Sequence, residues 1–157
     1  MTWEHIVRFV LTGNADFEAY AILLVRVLLG VFFAISGGGK LFISSRSRTM
    51  YDTLVAAGVP LPQVMTVFVS VVEFVGGLLL LVGFLSSIAS VVLLGDMVVA
   101  ILTNKLSSLP KNLSPLDWLD DFLYLPEVLY VLFFVWLICS GPGPFSVDHV
   151  IAAKFAM

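Results

Sequence analysis

Long apolar runs alternate with short polar interruptions along this chain, and the runs are longer than a globular core requires. The first covers 20–43 and carries only Arg26 and Lys40 as charges. A helix needs roughly 20 residues, at 1.5 Å each, to cross ~30 Å of hydrocarbon, so this run predicts one tilted span. The next covers 64–102, with only Glu73 and Asp96 charged. As one helix it would be roughly 58 Å long, nearly twice the hydrocarbon thickness, and it must therefore fold back. Gly83-Phe84-Leu85-Ser86-Ser87 is the stretch where glycine and serine weaken the helix. The pattern thus predicts antiparallel spans at 64–84 and 87–104. A last run predicts a span at 123–140, with Pro126 in its first turn and SGPGP at 140–144 ending it.

Four spans place both termini on one side, here side A, together with the tight turn after the second span. The connections on the opposite side, side B, have patterns of their own. Residues 45–58, SRSRTMYDTLVAAG, read as a short amphipathic helix stopped by Gly58 and Pro60. Residues 113–122, LSPLDWLDDF, suit either a segment lying in the interface or a loop with aromatic anchors. Residues 3–11, WEHIVRFVL, predict another interfacial helix on side A. The expected fold is an all-α, integral membrane four-helix bundle with short interfacial helices in its connections, one domain over 1–157.

Composition strengthens this picture. Of 157 residues, 60% are hydrophobic and 12% charged, against about 45–50% and 25% in soluble domains. The first 19 residues lack the apolar core of a secretory signal, so the first run reads as a retained span. Net charge is −3 with no basic block, which argues against nucleic acid as a partner. The single cysteine, Cys139, excludes an intrachain disulfide or dithiol relay. His5 and His149 fall outside the spans, so neither supplies a haem ligand within the bundle, and no Cys/His cluster suggests a metal. GGGK at 37–40 closes a transmembrane helix and has no strand before it, unlike a nucleotide-binding phosphate loop. Arg8 and Lys154 on side A stand against Lys40, Arg46, Arg48, Lys105 and Lys111 on side B. The positive-inside rule then puts side B in the cytoplasm and both termini outside.

Five ionisable residues fall in or at the edges of the spans: Arg26, Lys40, Glu73, Asp96 and Glu127. Each would cost roughly 2.5–3.5 kcal/mol at the bilayer centre, so such groups face the protein interior, a wet cavity or one another. Helical spacing puts Arg26, Gly30, Phe33 and Gly37 on one face, with Gly30-x-x-x-Ala34-x-x-x-Gly38 offering close helix approach. Glu73 shares its face with Gly76 and Gly77, and Asp96 shares its face with Ala89, Leu93, Ala100 and Thr103. Depth sorts the partners: Arg26 is expected to reach Glu73 or Asp96, and Lys40 to pair with Glu127. Three acids against two bases leave one acid over, to be neutral or reached by water. The charges then act either as glue between helices or as a polar, ligand-binding pocket.

At this point the chain resembles the DoxX family of small four-span membrane proteins. The pieces that carry the resemblance are RVLLGVFFAISGGGKLF, then AAGVPLPQVMTVFVSVVEFVGGLLLLVGF, then GDMVVAI, then PEVLYVLFFVWLICSGPGPFSVDHVI, in that order over about 20–151. The resemblance implies a multi-pass protein of a bacterial or archaeal inner membrane, associated with redox work. One branch of the family is similar to a subunit of thiosulfate:quinone oxidoreductase. Another is linked with a membrane oxidoreductase complex that resists oxidative stress.

These readings combine into an expectation. A redox-linked subunit would bind a quinone head group through Arg26, with Lys40 and Glu127 beside it. Glu73 would take or give protons and Asp96 would relay them. Electrons would come from a partner redox protein. The rivals are a small-solute or proton transporter acting as a homo-oligomer, and a non-catalytic scaffold in which the charges only join helices.

Overall fold

The computed structural model describes Trp3 and residues 17–106, 109–110 and 114–155. Trp3 apart, the interfacial helix expected at 3–11 lies outside the described residues, as do Arg8, His5 and Lys111. Among the described residues there is helix and no strand.

Helix α1, Glu18–Phe42, is followed after one extended residue by α2, Ser44–Ala56. Helix α3, Pro62–Val82, turns back into α4, Ser86–Ala100, which continues as a π-helical turn, Ile101–Lys105. Helix α5, Pro115–Leu123, precedes α6, Pro126–Ser140, and α7, Val147–Phe155, follows. Helices α1, α3 and α4 with its π turn are each long and apolar enough to cross a membrane, and α5 with α6 form a fourth crossing when taken as one bent span. The span expected at 123–140 corresponds to α6, and α5 falls where the separate segment at 113–122 was expected; the two meet at a 65° bend. Pro126 has no N–H to donate and its ring excludes a helical residue before it, so α6 must start afresh there.

Helix α1 packs against α3 through glycine. A Cβ on Gly30 would stand 2.8 Å from the Leu81 backbone nitrogen, and one on Gly37 would stand 2.6 Å from the Ser70 carbonyl oxygen. From the other side, a Cβ on Gly77 would stand 2.8 Å from the Gly30 carbonyl oxygen. Side chains at these positions would hold the two backbones apart. Their absence is how small-residue stripes stabilise membrane helix pairs. On the other face of α3, Gly76 lies under Leu93 of α4, where a Cβ would come within 3.0 Å.

The core then fills from α1, α3, α4 and α6: Ile22, Leu29 and Phe33, Leu80, Leu93, Phe134. Phe33 meets Phe134 at 5.3 Å between ring centroids and Tyr130 edge-on at 5.5 Å, which ties α1 to α6. The outward faces carry Leu24, Leu28, Val67, Phe68, Val91 and Val92, all exposed. This surface suits hydrocarbon and not water.

The turn between α3 and α4 has a physical signature. Gly83 takes φ +75° and ends α3, with the amide of Phe84 bonded back to the Leu79 carbonyl at 3.0 Å. Leu85 follows with φ 50°, a conformation unfavourable for a residue with a Cβ. Asp148 of α7 holds it there: its carboxylate accepts the amides of Leu85 and Ser86, both at 2.8 Å. A side chain distant in sequence thus caps the first turn of α4 and satisfies donors that the helix leaves orphaned.

Candidate functional site

The five sequence-selected charges separate into two groups. Arg26 belongs to side A. It is 2% exposed, and its guanidinium donates to the carbonyls of Pro142 at 2.6 Å and Phe145 at 2.5 Å. Those carbonyls sit in the non-helical segment between α6 and α7, where no helix partner exists for them. Arg26 also packs against Gly83, where a Cβ would fall 2.5 Å from its nitrogen. The expected Arg26 bridge to Glu73 or Asp96 is not made. Chain carbonyls that need donors lie closer to Arg26 than either acid, and they take it.

The other charges gather toward side B, and GGGK explains how. Gly37 lets the α3 backbone at 70–73 press against α1. Gly38 lies beneath the Phe74 ring, 3.2 Å from where its Cβ would be. This contact sets the register that brings Glu73 within reach of Lys40. The Lys40 ammonium donates to both oxygens of Glu73 at 2.6 Å, and Ser36 donates to Oε2 at 3.1 Å. Lys40 therefore pairs with Glu73 and not with the expected Glu127. Glu127 instead pairs with Lys105 at 2.9 Å. Lys105 was assigned to a loop by the sequence pattern. The π turn carries it inward, and π turns recur at functional sites.

Glu73 is 5% exposed in its side chain and Lys40 21%, so the pair sits at the edge of the protein interior. Beside it lies a cavity of about 330 Å3. Lys40, Glu73, Asp96, Lys105 and Glu127 all line it. Helix α2 covers it through Met50, Thr53 and Leu54, and Met65, Val69 and Met97 supply apolar wall. The cavity is thus wedged between α3 and α4 at the end far from their tight turn. Asp96 Oδ2 and Glu127 Oε2 are buried and have no hydrogen-bond partner among the described residues. Unpaired carboxylate oxygens beside a void call for a ligand, a proton or water. The acid left over is Asp96, while Glu73 has both oxygens engaged.

An apolar hollow reaching into the crossings, lined by two cations and three acids, defines a multi-pass helical membrane protein with an internal polar site. The chain belongs to the DoxX family, whose model matches residues 21–106 and so includes Arg26, Lys40, Glu73 and Asp96. It is 28% identical over 138 residues to the uncharacterized membrane protein Rv3486 of Mycobacterium tuberculosis, covering 85% of this chain and 83% of that one. It is 24% identical over 139 residues to inner membrane protein YqjF of Escherichia coli, covering 88% of this chain and 97% of that one. No solved structure matches it.

Proposed function

We propose that the side B cavity binds a quinone head group and handles protons for a redox system whose electrons come from a partner protein. The residues fit such a group. A volume of about 330 Å3 lies at the lower end of small-molecule sites, which are mostly apolar with a few convergent polar groups. Lys40 has three N–H donors and uses two on Glu73. The third is available to a carbonyl oxygen. A bound quinone supplies an acceptor of two electrons and two protons.

The chain's own residues divide the remaining work. Lys40 would bind, and Glu73 with Ser36 would position Lys40. Asp96 would hold or move the proton at its unpartnered Oδ2. This reverses the order read from the sequence, where Glu73 exchanged protons and Asp96 relayed them. Arg26 has no place in this site. The carrying observation is the unpaired Asp96 oxygen facing the same void as the Lys40 ammonium. Side B, with Lys40, Arg46, Arg48 and Lys105, would face the cytoplasm.

The test is equilibrium binding of short-chain benzoquinone and naphthoquinone to the purified protein. Saturable binding is expected. Losing one hydrogen bond to a charged group costs about 1.5–3 kcal/mol, so Lys40→Met should weaken it roughly tenfold or more. Asp96→Asn should leave binding near normal while removing proton uptake on reduction. Absence of saturable binding would sink the proposal. The rival scaffold reading draws support from the closed Lys40–Glu73 pair, which joins α1 to α3. It expects no quinone binding and poorer recovery of a partner protein from Glu73→Gln.

A further inference from the structure

A second feature runs along the lipid-facing side of α1, apart from the cavity. Leu28, Val31, Phe32 and Ile35 form one stripe at helical spacing. With Ser36 and Arg46 they line a groove of about 430 Å3. A further hollow of about 290 Å3 continues it at the corner between α1 and α2, sharing Ser36 and Arg46 and adding Lys40. From Leu28 to Gly39 the helix rises about 16 Å. The groove is therefore apolar where hydrocarbon lies and cationic where the chain leaves it.

Arg46 is held at that end. Its side chain lies flat on Gly39, where a Cβ would come 2.5 Å from a guanidinium nitrogen and 3.0 Å from Cδ. Glycine at 39 leaves the space that this arginine fills. No carboxylate answers its charge: the ion pairs among the described residues are Lys40–Glu73 and Lys105–Glu127, and the first turn of α2 contains no acid. An exposed, uncompensated guanidinium above an apolar groove is complementary to an amphiphile with an anionic head.

We propose that this groove is a binding site for an anionic phospholipid, with an acyl chain along the 28–35 stripe and its phosphate on Arg46. Guanidinium presents paired donors that match phosphate oxygens. Lys40, already bonded to Glu73, adds positive potential at the corner. The stripe at 28–35 and Arg46 do not line the cavity, although the corner hollow shares Lys40, Met50 and Thr53 with it.

The experiment is native mass spectrometry of the full chain titrated with phosphatidylglycerol, phosphatidylcholine of the same acyl chains, or inorganic phosphate. One basic residue near the surface contributes about 1 kcal/mol toward anionic lipid, or about fivefold in affinity. Phosphatidylglycerol should therefore bind about fivefold more tightly than phosphatidylcholine. Arg46→Gln should abolish that preference. Gly39→Ala should reduce it while keeping Arg46 and normal thermal stability, because it displaces only the far end of a flexible side chain. Equal binding of the two lipids, or an unchanged preference in Arg46→Gln, would overturn the proposal. So would full displacement of lipid by inorganic phosphate, which would mark a plain anion site in which the groove plays no part.

Discussion

Arg26 and Lys40 stand 14 residues apart on α1, about 21 Å along its axis, and meet different kinds of partner. Arg26 bonds main-chain carbonyls in the segment after α6, while Asp148 from the same region caps α4. Side A is thus a knot tying three chain segments together. Lys40 bonds a carboxylate, and that pair borders a void in which other acid oxygens lack partners. A buried charge that answers backbone groups serves architecture. Arg26 Nε and Ser86 Oγ at the side A end also lack partners among the described residues, so what sets Lys40 apart is that its unanswered neighbours are acids lining a void.

Removing Arg26 is the strongest way to break this contrast. Arg26→Met keeps bulk but leaves the carbonyls of Pro142 and Phe145 without donors. Each hydrogen bond to a charged group is worth about 1.5–3 kcal/mol, so a loss of roughly 3–5 kcal/mol is expected. Reversible unfolding in mixed micelles would measure it. Asp148→Asn keeps one good acceptor for the α4 amides and should cost about 1–2 kcal/mol. If Arg26→Met were no less stable than Asp96→Asn, the division between an architectural end and a chemical end would fail.

The Lys40–Glu73 pair comes next, and here the comparison is sharpened by a double-mutant cycle. Lys40→Met leaves a buried carboxylate alone, and Glu73→Gln leaves an ammonium with a weaker acceptor. Singles should cost about 2–4 kcal/mol, below the largest values for fully buried pairs because Lys40 is part-exposed. The double variant should recover about 1–3 kcal/mol relative to their sum. Strict additivity would mean that the two residues do not hold each other.

The helical membrane class was legible because periodicity and run length report it directly. That α1 offers a surface for close helix approach was legible too, since Gly30 and Ala34 announce it, but that α3 fills it comes from the structure. Which charge meets which was not. Pairing depends on the relative register of two helices, and one helical turn of slip moves a side chain about 5 Å, enough to exchange Glu127 for Glu73. Arg26 was misassigned for another reason. Counting acids against bases ignores backbone carbonyls, and SGPGP, read only as a helix stop, also leaves carbonyls in need of donors. Lys105 was missed because the helix was expected to end at 104. The one signal for it was a polar Thr103-Asn104-Lys105 run still in phase with Asp96 and Ala100.

Lys105 and Glu127 supply the smallest and most discriminating effect. Their 2.9 Å contact is as well formed as many buried pairs, yet the Lys105 side chain is 36% exposed. Water screens such a pair and the lysine loses rotamer freedom in making it, so exposed pairs contribute about 0.2–1 kcal/mol. Lys105→Gln should therefore cost about 0.5 kcal/mol, and the difference should vanish in high salt, where the screening length shrinks to ~3 Å. The Lys40–Glu73 coupling should survive the same salt, since buried pairs are screened much less. Stability of both variants, followed from low to high ionic strength, separates the cases. A salt-insensitive Lys105 would mean that the π turn seals this end of the cavity from the aqueous side. Protons for Asp96 would then need another route, and Glu73 offers one, since it lines the same cavity and bonds Ser36, which opens onto the α1 groove.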